Sequence, residues 1–425
     1  MAGLAVIRVA ACALALAALV AGCGRAGEGT TLRFWAMGRE AEVLAELMPE
    51  FERTHPGIHV RVEQLPWTAA HEKLLTAVAG DATPDLCQLG NTWLPELAAL
   101  NALAPLEARI AASRGVPRAD YFPGIWATNV IGGHVFGVPW YVDTRLLFYR
   151  RDLVAAAGYD HPPRTWDELK AEAAAVQARG HDAYGILLPL NEYEPLLAFG
   201  LQQREGLLRE DNTRGNFSSA AFRRTLGFYV SMFKDGLAPP VSNSQIANVW
   251  TEFGRGYFAF YISGPWNIGE FNRRLPEALK GRWETAPLPG PEGPSASIAG
   301  GASLAVFRRS AHPDEAWQLV EYLSDPAVQA RFHALTGDLP ARRSAWSAPG
   351  IAADSHTAAF ADQLERVKPT PPVPEWEEMM TEMRVVAEHV VRGDTSIEEG
   401  TAELDRRADR MLRKRRELVA EGHAP

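Results

Sequence analysis

Residues 31–90 read TLRFWAMGREAEVLAELMPEFERTHPGIHVRVEQLPWTAAHEKLLTAVAGDATPDLCQLG, and the alternation of two periodicities along them decides the fold class. "TLRFWAM" (31–37) is a short apolar strand. "REAEVLAELMPEFERTHPG" (39–57) then spaces its apolar residues along one face of a helix and stops at Pro-Gly. "IHVRVEQLP" (58–66) alternates apolar and polar as a strand does, "WTAAHEKLLTAVAGD" (67–81) returns to helix, and "PDLCQLG" (84–90) reads as a buried strand. This βαβαβ series implies an α/β protein with a mostly parallel sheet flanked by helices. The order recurs in "RTWDELKAEAAAVQARG" (164–180), where Thr165 and Glu168 have capping-box spacing, followed by the strand "AYGILLPL" (183–190). Between the two units, "NVIGGHVFGVPW" (129–140) sets Gly132-Gly133 between apolar runs and predicts a hairpin. Beyond about residue 350 the pattern is nearly all helical, and the charged run "SIEEGTAELDRRADRMLRKRREL" (396–418) is expected to be a solvated face.

The chain of 425 residues exceeds one ordinary domain, so two lobes are expected. A hydrophobic fraction of 47% suffices for buried cores, and a net charge of -9 argues against nucleic-acid binding, which needs a basic face. The first residues, "MAGLAVIRVAACALALAALVAGC", carry one cation and then an uncharged apolar stretch that ends at Cys23, the pattern of a secretory leader over 1–22. "LVAGC" resembles the bacterial lipobox, which would lipidate Cys23 and leave 23–30 as a tether. "GCGRAG" (22–27) matches the dinucleotide-loop spacing GxGxxG, but no strand precedes it and no helix follows. Cys12 lies in the leader and Cys23 is the proposed lipid site, so Cys87 stands alone; its apolar neighbours mark it as a strand-core thiol rather than a nucleophile.

No HExxH, CxxC or Walker loop is present, and "GASLA" (301–305) only approximates a nucleophile elbow. A secreted glycosidase would need paired carboxylates, for which Asp143, Glu192 and Glu194 are candidates. The aromatic residues say more. Trp35, Trp93, Trp140 and Tyr141 fall near the ends of strands, and Trp266 follows Gly-Pro in "YFAFYISGPWNIGEF" (257–271). Ligands of open α/β sheets collect outside the carboxyl ends of strands. Flat aromatic faces beside carboxylates and amides suit the CH faces and hydroxyl rim of a sugar. For each of these residues, packing under a loop remains the competing reading, and it is favoured for Trp93 because "LPELAAL" follows it.

Seven fragments carry a family likeness in order: "FWAMGRE...FERTHPGIHVRVEQLPW", "PDLCQLGNTWLPEL", "VFGVPWYVDTRLLFYRRDL", "PPRTWDEL", "YFAFYISGPW", "APLPGPEG...AGGASLAV" and "DEAWQLVEYLSDPAVQARF". Over about residues 31–410 the chain resembles the family-1 extracellular solute-binding proteins, the receptors of bacterial carbohydrate ABC importers, and within them the trehalose/maltose-binding type. The resemblance implies a two-lobed clamshell with a hinge, lobe 1 from 31–141 plus 301–343 and lobe 2 from 142–300 plus 344–425. It also implies a monomer, anchored to the membrane by its lipid outside the cytoplasm, that hands a carbohydrate to permease subunits without a cofactor.

Carried over by position, Tyr141 and Asp143 match a tyrosine and an aspartate that contact sugar, and Trp266 matches a stacking aromatic of the second lobe. Gly300-Gly301 match a cleft-lining turn, Glu40 a glutamate that accepts hydroxyl bonds, and Tyr193 an aromatic of the second lobe. Trp35 and Trp140 complete the expected aromatic set. Arg145 either bonds sugar hydroxyls or holds Asp143 in a charge-assisted pair. Two positions depart from the trehalose/maltose pattern: Gly90 replaces an aspartate and Ala302 a tryptophan. Asn91 is the candidate substitute for the first, and Trp376, in "PVPEWEEM" (372–379), either substitutes for the second or packs its helix.

Overall fold

A computed structural model describes residues 29–180, 183–246 and 248–422. The expected leader and Cys23 lie outside these residues. Ten strands form two principal sheets: β1 (Thr30–Met37), β2 (Ile58–Leu65), β3 (Leu86–Gly90), β4 (Val138–Asp143), β5 (Leu146–Arg150), β6 (Tyr184–Leu187), β7 (Phe258–Ser263), β8 (Trp283–Ala286), β9 (Gly300–Val306) and β10 (Leu339–Pro340). The first sheet runs β10-β4-β9-β3-β1-β2 and the second β8-β5-β7-β6. β1 pairs in parallel with both β2 and β3, with the helices Gly38–Thr54 and Trp67–Ala79 as crossovers. The two faces of β1 feed different cores: Leu32, Phe34 and Ala36 pack with the first helix, while Trp35 and Met37 pack with the second.

Both sheets are mixed rather than mostly parallel. β9 runs antiparallel to β3 and β4, and β5 antiparallel to β7 and β8. The cause is the connectivity: the chain leaves the first sheet after β4, builds the second, and returns as β9, so that leaving and returning strands lie side by side in opposite directions. β4 carries Val142 and Asp143 in the first sheet, and β5 begins the second at Leu146.

Three backbone details were readable in advance. Gly132 and Gly133 take φ of 57° and 84° between the short antiparallel strands Val130–Ile131 and His134–Val135, the positive-φ pair of a tight hairpin. The Thr165 hydroxyl accepts the Glu168 N–H at 3.1 Å and caps the helix Trp166–Gln177, but Glu168 reaches back to the N–H of Arg164 instead of closing the box on Thr165. Cys87 is fully buried, and burial pushes its thiol well above the ordinary range, as befits an inert core residue.

The charged C-terminal run is more than a solvated face. The helix Ile397–Met411 buries Gly400, Thr401, Leu404 and Ala408, and Asp405 accepts the backbone N–H groups of Phe217 and Ser218 at 2.7 and 2.9 Å. Among the described residues, no helix is long and apolar enough to cross a membrane.

Candidate functional site

A cavity of about 630 Å³ is lined by strand residues of the first sheet and by helix and loop residues of the second lobe. It sits beyond the carboxyl ends of β1, β3 and β4, where parallel strands leave backbone ends and loop side chains to converge. On the first-lobe side, the chain leaves β1 through Gly38, whose φ of +53° turns it directly into a helix. A Cβ at Gly38 would stand 2.9 Å from both Glu40 Oε2 and Trp67 Nε1, so the bare glycine lets these two side chains meet at the cavity wall. A buried hydrogen-bond chain fixes Glu40: Gln88 Oε1 accepts the Met37 N–H at 2.7 Å, Gln88 Nε2 donates to Tyr141 Oη at 2.8 Å, and the Tyr141 hydroxyl donates to Glu40 Oε1 at 3.0 Å. Trp93 and Trp67 meet edge-on at 5.6 Å, with His71 on the first of them at 5.1 Å.

The second-lobe side centres on Arg145. Its guanidinium pairs with Asp143, bonds Glu194 at 3.1 Å, and lies 4.8 Å over the ring of Trp266. Burial opposes its charge, but Asp143 and Glu194 outweigh burial and hold its proton more tightly than usual. Arg145 grips Asp143 and also lines the cavity, which fits each of the two roles expected of it. Tyr193 stands 3.5 Å from Glu377, and both line the cavity.

Carboxylates dominate the field of the site. Burial raises the Glu40 carboxyl above its ordinary range, against hydrogen bonds from its own backbone, Tyr141 and Trp67, and nearby Asp143 adds to the rise. Asp338 is pushed up much further by burial, then by Glu40 and Asp143. Burial also raises Glu377. Such a lining offers acceptors to hydroxyl donors and resists a second anion.

The crossing strands approach closely at Gly300 and Gly301. A Cβ on Gly300 would stand 2.2 Å from the Asp143 carbonyl oxygen; one on Gly301, at φ of +134°, would stand 2.3 Å from that of Tyr141. Glycine is required at both. Asn91 Nδ2 donates to the Ala299 carbonyl at 2.8 Å, and Ser297 Oγ donates to that of Arg145 at 2.5 Å, tying the crossing segments to each other and to β3.

Of the twelve residues expected to form the sugar site, Glu40, Asn91, Tyr141, Asp143, Arg145, Tyr193, Trp266, Gly300 and Gly301 line the cavity together. Three do not. Trp35 is buried on the other face of β1, with Lys73 4.6 Å over its ring, because the strand runs on to Met37 and the cavity begins at Gly38. Trp140 is the extra residue of a bulge: Ala302 pairs with Tyr141 and Ser303 with Pro139, and the skipped Trp140 turns into the core against Phe332 at 4.4 Å. Trp376 is wholly buried in the second lobe; the next residue, Glu377, turns toward the cavity instead.

Trp93 reverses the packing expectation, for it lines the cavity. Trp67, Thr92, Asp338 and Glu377 were missed. Trp67 and Thr92 each lie two residues past a strand end, of β2 and β3, so the strand-end rule could have found them; nothing local marks the other two. The two departures, Gly90 and Ala302, are partners in register between β3 and β9, and the Trp93 ring lies 3.4 Å from where a Gly90 Cβ would be. Gly90 lines the cavity beside the Trp93 indole, whereas Ala302 is buried behind it in the core.

The family model for bacterial extracellular solute-binding proteins matches residues 38–330. The chain is similar to the sugar-binding protein MalE from the phytopathogen Xanthomonas citri, at 57% identity over 92% of this chain and 99% of that one, with a TM-score of 0.89. It is also similar to the GacH receptor of Streptomyces glaucescens, at 25% identity over 91% and 99%, with a TM-score of 0.79. Among curated proteins, the diacetylchitobiose binding protein DasA of Streptomyces coelicolor is 24% identical over 358 residues, 83% of this chain and 82% of that one. The fold is the two-lobed clamshell of these structures, and with more than half of its length matched by the family model, the chain belongs to the bacterial extracellular solute-binding proteins.

Proposed function

We propose that this chain is the substrate-binding subunit of an ABC importer for a di- or oligosaccharide, an α-glucoside such as maltose or trehalose. It works as a monomer outside the cytoplasm, anchored through lipidated Cys23, and needs no cofactor. The observation that carries the reading is the cavity itself, in which Trp67, Trp93, Tyr193 and Trp266 offer ring faces beside Glu40, Asp143, Glu194 and Glu377. Aromatic faces cover the CH faces of pyranose rings, and carboxylates accept their hydroxyls in bonds worth about 1.5 to 3 kcal/mol each. The 57%-identical protein is described as sugar-binding, and the GacH structures include complexes with acarbose, which supports an oligosaccharide of glucose type. Closure of the lobes about the segments at 143–146 and 297–300 would bury the sugar and present one closed surface to the permease.

A glycosidase is the second reading, with Asp143, Glu192 and Glu194 as its carboxylates. Arg145 counts against it, because it bonds Asp143 and Glu194 together as ion pairs, whereas a general acid must hold a proton. Calorimetry of the purified chain against a panel of mono-, di- and trisaccharides tests the proposal. The expected result is one equivalent of an α-linked glucoside bound and recovered unchanged after long incubation. Turnover lost in D143N would establish the hydrolase instead, and no binding to any saccharide would refute the receptor for sugars.

A further inference from the structure

The second lobe holds a cluster that the sugar site does not use. On the helix Trp166–Gln177, Glu168 and Glu172 are one turn apart on the same face, and His161 approaches them from the preceding loop. One ring nitrogen of His161 and one oxygen of each carboxyl all lie within 4.8 Å of one another. Glu172 is 0% exposed, and neither of its carboxyl oxygens has a hydrogen-bond partner among the described residues. A buried carboxylate without a donor is expensive, and a second carboxylate at i,i+4 makes it more so. Native proteins remove such a cost with a proton or with a cation. Among the described residues, the charged groups acting on Glu172 are His161 and Glu168, with no lysine or arginine to supply the cation.

We propose that His161, Glu168 and Glu172 form a binding site for a divalent transition-metal ion of the Zn²⁺ class. One nitrogen and two carboxylate oxygens are a borderline donor set, and three protein ligands leave one position of a tetrahedral ion to water. His161 is prepared for the role. Its Nδ1 faces the Pro162 carbonyl at 3.0 Å and serves as the donor there, so Nε2 keeps the lone pair that binds metal. Asp160 Oδ1 lies 3.8 Å from Nε2, and Glu168 Oε2 accepts the Arg164 N–H at 2.6 Å, which leaves Glu168 Oε1 free. Tetrahedral ligation needs ligand atoms about 3.4 Å apart, a contraction of about 1.4 Å that the exposed His161 ring and the half-buried Glu168 can make by rotating. The ion would staple the loop 158–164 to the helix.

The test uses the tag-free, chelator-stripped mature chain and Zn²⁺ as the probe, with equilibrium dialysis and thermal unfolding at pH 7.5. One equivalent of Zn²⁺ should bind and raise Tm. H161A and E172Q should each weaken binding at least tenfold, and metal-free E172Q should be no less stable than the parent, since it removes an uncompensated buried charge. Excess Mg²⁺ should not compete. Less than one equivalent bound at pH 7.5, or Zn²⁺ binding that survives H161A, overturns the site; H161A changes an exposed loop residue and decides the matter even if E172Q fails to fold.

Discussion

The two walls of the cavity hold their polar groups by different means. On the first-lobe wall a chain of hydrogen bonds runs from the β1 backbone through Gln88 and Tyr141, which are anchored on strands of one sheet, to Glu40 on the helix that follows β1. On the second-lobe wall one cation, Arg145, holds two carboxylates from different elements and covers an indole. The first wall is rigid because each group has a fixed partner on the sheet, and it should keep its geometry with or without ligand. The second depends on a long side chain whose removal frees three neighbours at once. The comparison teaches that one lobe of the cavity is preset while the other is organised around a single residue.

The largest expected effect breaks the second wall. Arg145→Ala leaves Asp143 and Glu194 without their shared partner in a half-buried site, and breaking a buried pair costs about 3 to 5 kcal/mol. Part of that cost should appear as a lower Tm and part as lost sugar affinity. A chain that keeps both would show that Arg145 organises nothing. Next comes Trp266→Ala, which removes a central aromatic anchor and should weaken sugar binding by about 2 kcal/mol, roughly thirtyfold, in calorimetry. The paired control is Trp166→Phe; Trp166 is buried away from the cavity with Nε1 on Gln202 at 2.8 Å, so stability should fall slightly and affinity stay constant.

Tyr141→Phe sharpens the reading of the first wall. It deletes the hydroxyl between Gln88 and Glu40, leaving a buried amide donor unsatisfied at about 1 to 3 kcal/mol. The loss should be nearly equal with and without sugar if that wall is preset. The smallest effect is a pH dependence. The Glu40 carboxyl titrates above its ordinary range because burial disfavours its charge, so it takes up a proton at a higher pH than an exposed glutamate would. Binding that uses ionised Glu40 therefore weakens as pH falls through that raised value, and Glu40→Gln should flatten the profile. An unchanged profile would place the titrating acceptor elsewhere, with Glu377 the next candidate.

The fold was legible because it rests on local periodicities. The βαβαβ run over 31–90, the Gly132-Gly133 hairpin and the capped helix after Thr165 each declare themselves within a few residues. The cavity lining was legible at Tyr141, where a strand end marks it, and through the family resemblance at Glu40, Asp143 and Gly300-Gly301. Legibility failed where the direction of a side chain depended on a neighbour distant in sequence. Trp140 and Tyr141 are adjacent and both aromatic, yet a bulge set by pairing with β9, 160 residues away, sends one into the core and leaves the other at the cavity.

What the sequence alone determined is therefore the class of the molecule: two α/β units, the strand ends at which a ligand can gather, and the residue types suited to a polyhydroxylated one. What only the tertiary structure decided is which of those residues meet. Asp338 and Glu377 reach the cavity from segments that carry no local signal, and Trp376 is lost to it because its helix buries one face in the second lobe. The physical reason is that periodicity records which side of an element is apolar, whereas a cavity is defined by several elements brought to one point by long-range pairing.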